Sequence, residues 1–225
     1  MHRTDMNAHV ECCAFARERS QAYWLLSRLF LQVPDLPCLR ELQTLLASAD
    51  GQGPLGELKR EVSAAMETPD EAAVEFTRRL VVVSKDSGES LPFESFVREG
   101  MLPGTATAEV AACMADAGLP DAAPDAATPD HIGAEFGFMA LLCHEECRAW
   151  AENRQEEALR LAGKQWHFLN RHLAAWIPDY CDALEARAAH GYMKAVARLA
   201  RQCVLADVDG YEGVPDVSEQ CAEMR

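Results

Sequence analysis

Asp130, His131 and Glu135 are the side chains in this sequence best suited to chemistry. An imidazole beside one carboxylate, with another four residues on, can pass protons, hold a divalent cation, or meet a guanidinium group. Positions four apart on a helix are neighbours, so the spacing puts His131 and Glu135 side by side. The helix that would carry them is announced by Thr128-Pro129-Asp130, with a hydroxyl for the N-cap, proline at the first helical position and an acid where the dipole favours it. Downstream, Ile132, Phe136, Met139, Cys143, Cys147 and Trp150 recur at spacings of three and four, which makes one face apolar and sends it into a core. The ionisable groups then cluster at an open helix mouth. The plainer alternative for the same residues is an ordinary helix cap with a surface histidine.

Other chemical patterns are weaker. Cys143-His144-Glu145-Glu146-Cys147 resembles a metal site in composition, but on a helix both cysteines join the buried stripe while His144 points about 100° away from Cys143. Zinc needs converging ligands, so core packing is the better reading. No glycine-rich phosphate loop and no nucleophile elbow occurs. Phe93, Phe96, Trp166, Phe168, Trp176 and Tyr180 could line a peptide groove or simply fill a core.

The elements that must position these residues read as helices throughout. The spacing predicts a first helix over residues 8–32, buried through Phe15, Ala22, Leu26, Leu29 and Phe30 and stopped by Pro34. Leu39, Leu42, Leu45 and Leu46 mark a second, closed by Asp50-Gly51-Gln52-Gly53-Pro54; Leu55, Leu58, Val62 and Ala65 mark a third. Thr68-Pro69-Asp70-Glu71 reads as a capping box opening a fourth through Phe76 and Leu80. After the irregular 84–96 segment come a helix through Glu109, Val110, Cys113 and Met114 and an Ala/Pro/Asp linker over 118–128. Beyond the helix at Asp130, Asn153 with Glu156 would cap another helix running to Trp176, with Pro178 beyond it; a short helix through Leu184 and a last one through Met193, Val196, Leu199 and Cys203 follow. The expected fold is all-α, a single helical-bundle domain of roughly nine helices, with no repeat and no hairpin. Its two halves, about 8–117 and 129–206, are joined by the linker, and an acidic tail at 207–225 is expected to be mobile.

Charge narrows the partners. The chain has 21 basic and 36 acidic residues among 225, a net charge of −15, which disfavours nucleic acid and anionic membranes and favours a cationic partner. The first ten residues carry no leader pattern and no run of 18 apolar residues occurs, so a cytoplasmic location without stable membrane association is expected. Nine cysteines without paired C-x-x-C motifs read mostly as small buried hydrophobes of a reducing compartment.

Several segments together resemble the TorD/DmsD/NarJ family of cytoplasmic maturation chaperones for molybdenum-containing oxidoreductases. Pro129-Asp130-His131-Ile132-Gly133-Ala134-Glu135-Phe136, followed by Phe138, Met139 and Leu142, looks like the family's Pro-Asp-His-Ile-Gly-x-Glu signature. Phe76-Thr77-Arg78 and Pro92-Phe93-Glu94-Ser95 are similar to its aromatic-Thr-Arg segment and Pro-x-Glu-Ser turn, and Arg171-His172-Leu173 with Trp176 to its late His-Leu-x-x-Trp segment. Tyr23-Trp24-Leu25-Leu26 fits too, so the likeness spans about residues 17–205. Gly137 and Val97 depart from it, where the family usually has an acid and an aromatic residue.

The resemblance implies a non-enzymatic chaperone that binds the twin-arginine signal peptide and apo form of a molybdopterin-containing reductase and assists folding, cofactor insertion and assembly before export. It implies a peptide-binding surface drawn from Pro92, Phe93, Glu94 and Ser95 on one side and Asp130, His131, Glu135 and Phe138 on the other, with His172 and Trp176 from the late segment. It implies no resident cofactor or metal, though some members are reported to bind guanine nucleotide weakly and a transient molybdopterin contact is compatible with it, and either a monomer or a helix-swapped homodimer. Two other readings stay open on the residues alone: a metal-dependent hydrolase using Asp130, His131 and His172, and a plain helical interaction scaffold.

Overall fold

A computed structural model describes residues 3–81, 91–119 and 128–212. Every regular element among them is helical: α1 Arg3–Leu31, α2 Leu36–Leu45, α3 Gly53–Ala65, α4 Pro69–Phe76, α5 Glu94–Glu99, α6 Thr105–Asp116, α7 Ile132–Ala151, α8 Gln155–Phe168, α9 Ala174–Arg187 and α10 Gly191–Glu212. Two wide, π-helical turns, Thr77–Val81 after α4 and Leu169–Leu173 between α8 and α9, continue their neighbouring helices. The all-α expectation holds. The linker residues 120–127 and most of the expected tail, 213–225, lie outside the described residues.

The molecule is built around α7, which packs along α1 on one side and α8 on another, while α10 packs on α9 and α3. Elements from both sides of the linker thus share one core. The apolar stripe foreseen for α7 is present, but Gly133, Ala134, Glu135, Phe138, Ala140 and Leu142 are buried as well, so this helix is enclosed almost all round. Backbone proximity sets the α1–α7 approach: a Cβ on Gly133 would lie 2.5 Å from the Leu31 side chain, and Ser27 Oγ donates to Gly133 O at 2.7 Å.

Local expectations fail where side chains have tertiary work instead. On α1 the buried stripe runs through Cys13, Ala16, Arg19, Tyr23, Leu26 and Phe30, and Phe15 is 54% exposed. The polar Arg19 occupies a core position and hides the true register. Thr68 makes no side-chain cap; its Oγ1 lies 3.3 Å from His190 Nε2. Asn153 closes α7 instead of opening α8: with φ of 57° it stands in the left-handed position, and the bonds Asn153 N→Trp150 O and Arg154 N→Ala149 O complete a Schellman end. Pro178 lies inside α9, one turn after the π-helical turn, so the chain continues to Arg187 where a stop was expected. Asp207 opens no mobile tail, because α10 carries it into contact with α1.

Candidate functional site

The segment before α5 meets the segment before α7 in a short two-stranded contact. Glu94 N donates to Asp130 O and Ile132 N donates to Pro92 O, both at 2.9 Å, and Phe93 faces His131 as an isolated antiparallel bridge. Pro92 suits this place because only its carbonyl is needed. The Phe93 and His131 rings stack edge to face at 5.1 Å. This pairing holds the backbone extended through His131, so α7 begins at Ile132 and not at Pro129. His131, not Thr128, is its N-cap, with Nδ1 accepting from Gly133 N at 3.1 Å.

Asp130 therefore does not serve its own helix. Its Oδ2 accepts from Ser95 N at 3.2 Å, Ser95 Oγ at 2.5 Å and Thr107 Oγ1 at 3.0 Å, capping α5 and tying it to α6. Asp130 Oδ1 is buried without a hydrogen-bond partner.

Behind this joint stands a carboxyl pair. Glu94 accepts from Arg98 on one oxygen and lies 2.8 Å from His172 Nδ1 on the other. Glu135 Oε2 accepts from Trp176 Nε1 at 3.0 Å, and its buried carboxyl lies in hydrogen-bond reach of that of Glu94. Burial, and next the charge of Glu94, hold the Glu135 carboxyl well above the usual carboxylate range and so favour its protonated form. Burial pulls His172 down, but the Cys113 sulfur and the Glu94 carboxylate outweigh it and raise the imidazole to about 9. Burial lowers His131 to about 4 against the opposing charge of Asp130, leaving it neutral. Phe168 packs on both His172, at 4.9 Å, and Phe138, at 4.8 Å.

All ten residues expected at the peptide surface are thus in or beside one cluster, yet the open helix mouth is not there. Glu94, Ser95, Asp130, Glu135 and His172 have no exposed surface, and Pro92, Phe93, His131, Phe138 and Trp176 are buried as well. The expectation failed because α7 is enclosed by neighbours on the face its charged residues were assigned to solvent. Arg98, 36% exposed at its side chain, is where the cluster reaches solvent. Sequence reasoning missed Arg98, Thr107 and Cys113; only the four-residue spacing of Glu94 and Arg98 could have signalled one of them.

The hydrolase arrangement is not assembled. Asp130 caps α5, His131 Nδ1 is taken by a backbone N–H, and His172 is bound to Glu94. Among the described residues no group of three or more His, Cys, Asp and Glu is placed to hold a metal ion. No helix among them is long and apolar enough to cross a membrane.

Comparison with known proteins adds an independent line. A family model described as nitrate reductase delta subunit matches residues 45–182. The selenate reductase assembly chaperone protein of Thauera selenatis is 45% identical over 58 residues, covering 26% of this chain and 29% of that protein; the chlorate reductase assembly chaperone protein of Ideonella dechloratans gives the same values. These two matches therefore span less than a third of the relatives' length. The chaperone protein TorD of Vibrio cholerae serotype O1 is 27% identical over 199 residues, covering 81% of this chain and 87% of that one.

Proposed function

Since the chain belongs to the nitrate reductase delta subunit family, which includes TorD-like chaperones, we propose that it is a maturation chaperone for a molybdenum-containing oxidoreductase. In this reading it binds the twin-arginine signal peptide of the apo client in the cytoplasm and assists folding, cofactor insertion and assembly before export, without catalytic turnover of its own. The names of its relatives, assembly chaperones for selenate and chlorate reductases, support the client class.

The observation that carries the peptide reading is the Glu94–Arg98 pair. A carboxylate with no exposure of its own accepts from a guanidinium that sits partly in solvent, next to Glu135, whose carboxyl is pushed towards its protonated form, and to Asp130, whose Oδ1 is buried without a hydrogen-bond partner. Such a site is built for a guanidinium fork and is filled here by one from the chain itself. A client arginine takes the place of Arg98, and the second client arginine ionises Glu135 or meets Asp130 Oδ1. Opening requires α5 to move away from α7, and apolar neighbours such as Phe93 and Phe138 then supply contact area.

Calorimetric titration of a twin-arginine signal peptide into Glu94→Gln protein tests this. The expected loss is about 1–3 kcal/mol, the range for a hydrogen bond to a charged group, or about five- to hundredfold in affinity. Replacing both peptide arginines by glutamine should remove the difference between wild type and variant. Equal affinity for wild type and a variant of unchanged melting temperature would remove Glu94 from the site.

A further inference from the structure

The proposed function uses none of the cysteines, and two of them stand apart from the rest. Cys13 on α1 and Cys147 on α7 bring their sulfurs to 2.7 Å as free thiols, within reach of a bond whose length is about 2.05 Å. Arg17 places a guanidinium 3.6 Å from Cys13 Sγ, a neighbour that favours thiolate. Burial and the adjacent Cys13 push the Cys147 thiol up, and Arg17 works against them. Cys147 is half-buried and open to a small reagent, whereas Cys13 lies beneath it. Cys143, one turn back on α7, is fully buried against Gln165 and pushed up to about 12 by that burial, so it is inert.

We propose that Cys13 and Cys147 form an oxidisable pair, which a low-molecular-weight disulfide converts into a covalent fastening of α1 to α7. The Cys147 thiolate attacks one sulfur of the oxidant, whose S–S bond breaks and releases one thiolate that takes up a proton. The Cys13 thiolate then attacks Cys147 Sγ in the mixed disulfide and expels the second small thiol. In sum the protein loses two hydrogens with their electrons, and the oxidant is reduced to two thiols. The bond closes a span of 134 residues across the most heavily packed helix pair of the fold, so it fixes α7, and with it the α5–α7 joint, against α1. It also joins residues on either side of the linker, so within one chain it forbids any exchange of halves.

The test uses the full chain incubated with oxidised glutathione, trapped by alkylation and read by intact mass and peptide mapping. The expected product has lost two hydrogens, yields a Cys13–Cys147 linked peptide, and melts several degrees higher until dithiothreitol is added. Cys13→Ser should stop at a glutathione adduct on Cys147 with no upward shift; Cys147→Ser should yield neither the internal bond nor the shift. Absence of the linked peptide from wild type at equilibrium overturns the proposal. So does an equal, dithiothreitol-reversible shift in the two single variants.

Discussion

Two polar clusters are buried in this molecule, and they are built on opposite principles. Between α1, α7, α8 and α10, Arg19 grips Asp207 with two bonds of 2.7 and 2.8 Å and Gln165 with a third of 2.5 Å. Tyr23 completes Asp207 at 2.6 Å; Gln165 and Trp150 both donate to Glu146, at 2.8 and 3.1 Å. The buried Arg19 of this cluster faces a paired anion, and every donor named here meets an acceptor. The α5–α7 cluster instead gathers Glu94, Asp130 and Glu135 around His172 and a partly exposed Arg98, crowds the carboxyls of Glu94 and Glu135 together, and leaves one oxygen of Asp130 without a partner. A network satisfied throughout specifies one packing, whereas one with spare acceptors costs stability that a ligand can return. The difference separates a structural joint from a site.

The comparison breaks first at Arg19. Arg19→Met keeps much of the stem's volume but strands Asp207 and Gln165 in a closed interior, and losing one partner of a buried ion pair costs about 3–5 kcal/mol. For a chain of this size that is a fall in Tm of roughly 6–20 °C. Thermal melts of the variant measure it, and a change under about 1 kcal/mol would mean that water reaches the network and that the two clusters do not differ in this way.

A smaller effect, opposite in sign for two histidines, sharpens the contrast within the α5–α7 cluster. His172, raised to about 9 in the fold, gives stability that is fully present below its unfolded value of about 6.5 and is lost as pH rises through about 9. His131, lowered to about 4, gives stability that is present above about 6.5 and is lost as pH falls through about 4. NMR titration of the ring signals should find His172 still charged at pH 8 and His131 still neutral at pH 5. Melting of His172→Gln should lack the decline that wild type shows between pH 7 and 9.5, a difference of about 5 °C. If the two imidazoles titrate together near 6.5, neither is held as the cluster geometry requires.

Much of this was legible in the sequence, and the reasons for the misses are physical. Gly118 and Pro34 fell where helices stop, and the stripe from Ile132 to Trp150 marked the central helix, because those signals are local. Residues 92–95, 130–135 and 172–176 are also gathered in space as their resemblance to one family implied. What sequence could not carry was the depth of the site. A carboxylate reads as exposed until the helices around it are known, and Glu135 was assigned to solvent for that reason. The Arg19 network was missed for the converse reason: a charged residue inside an apolar stripe looks like an interruption, when Asp207, 188 residues away, makes it part of the core. Asn153, Asp130 and Thr68 each offered a cap, and in each case a partner distant in sequence or the preceding helix used the group first.

The smallest effect is expected at Glu135, and it is the one that best separates the clusters. Because burial and the nearby Glu94 favour the protonated carboxyl, Glu135→Gln exchanges that neutral group for another of nearly the same shape. The new carbonyl still accepts from Trp176 Nε1, and the amide puts N–H donors where the carboxyl proton was. Near about pH 4, where the carboxyl is largely protonated in the unfolded chain as well, the change in stability should therefore stay within about 0.5 kcal/mol, far below the loss at Arg19. The difference then grows with pH. A carboxyl whose folded value is raised is most favourable to the fold below the ordinary carboxylate range, and that advantage fades as pH rises from that range towards the raised value, because folding must then take up a proton or bury a charge beside Glu94. Glutamine has no proton to take up, so the variant should become the more stable protein as pH rises, and denaturant titrations at about pH 4.5 and about pH 7 should show its advantage widening. A loss above about 2 kcal/mol at pH 7 would instead show an ionised Glu135 with a cationic partner of its own, and the crowding of carboxyls that sets this cluster apart would be gone.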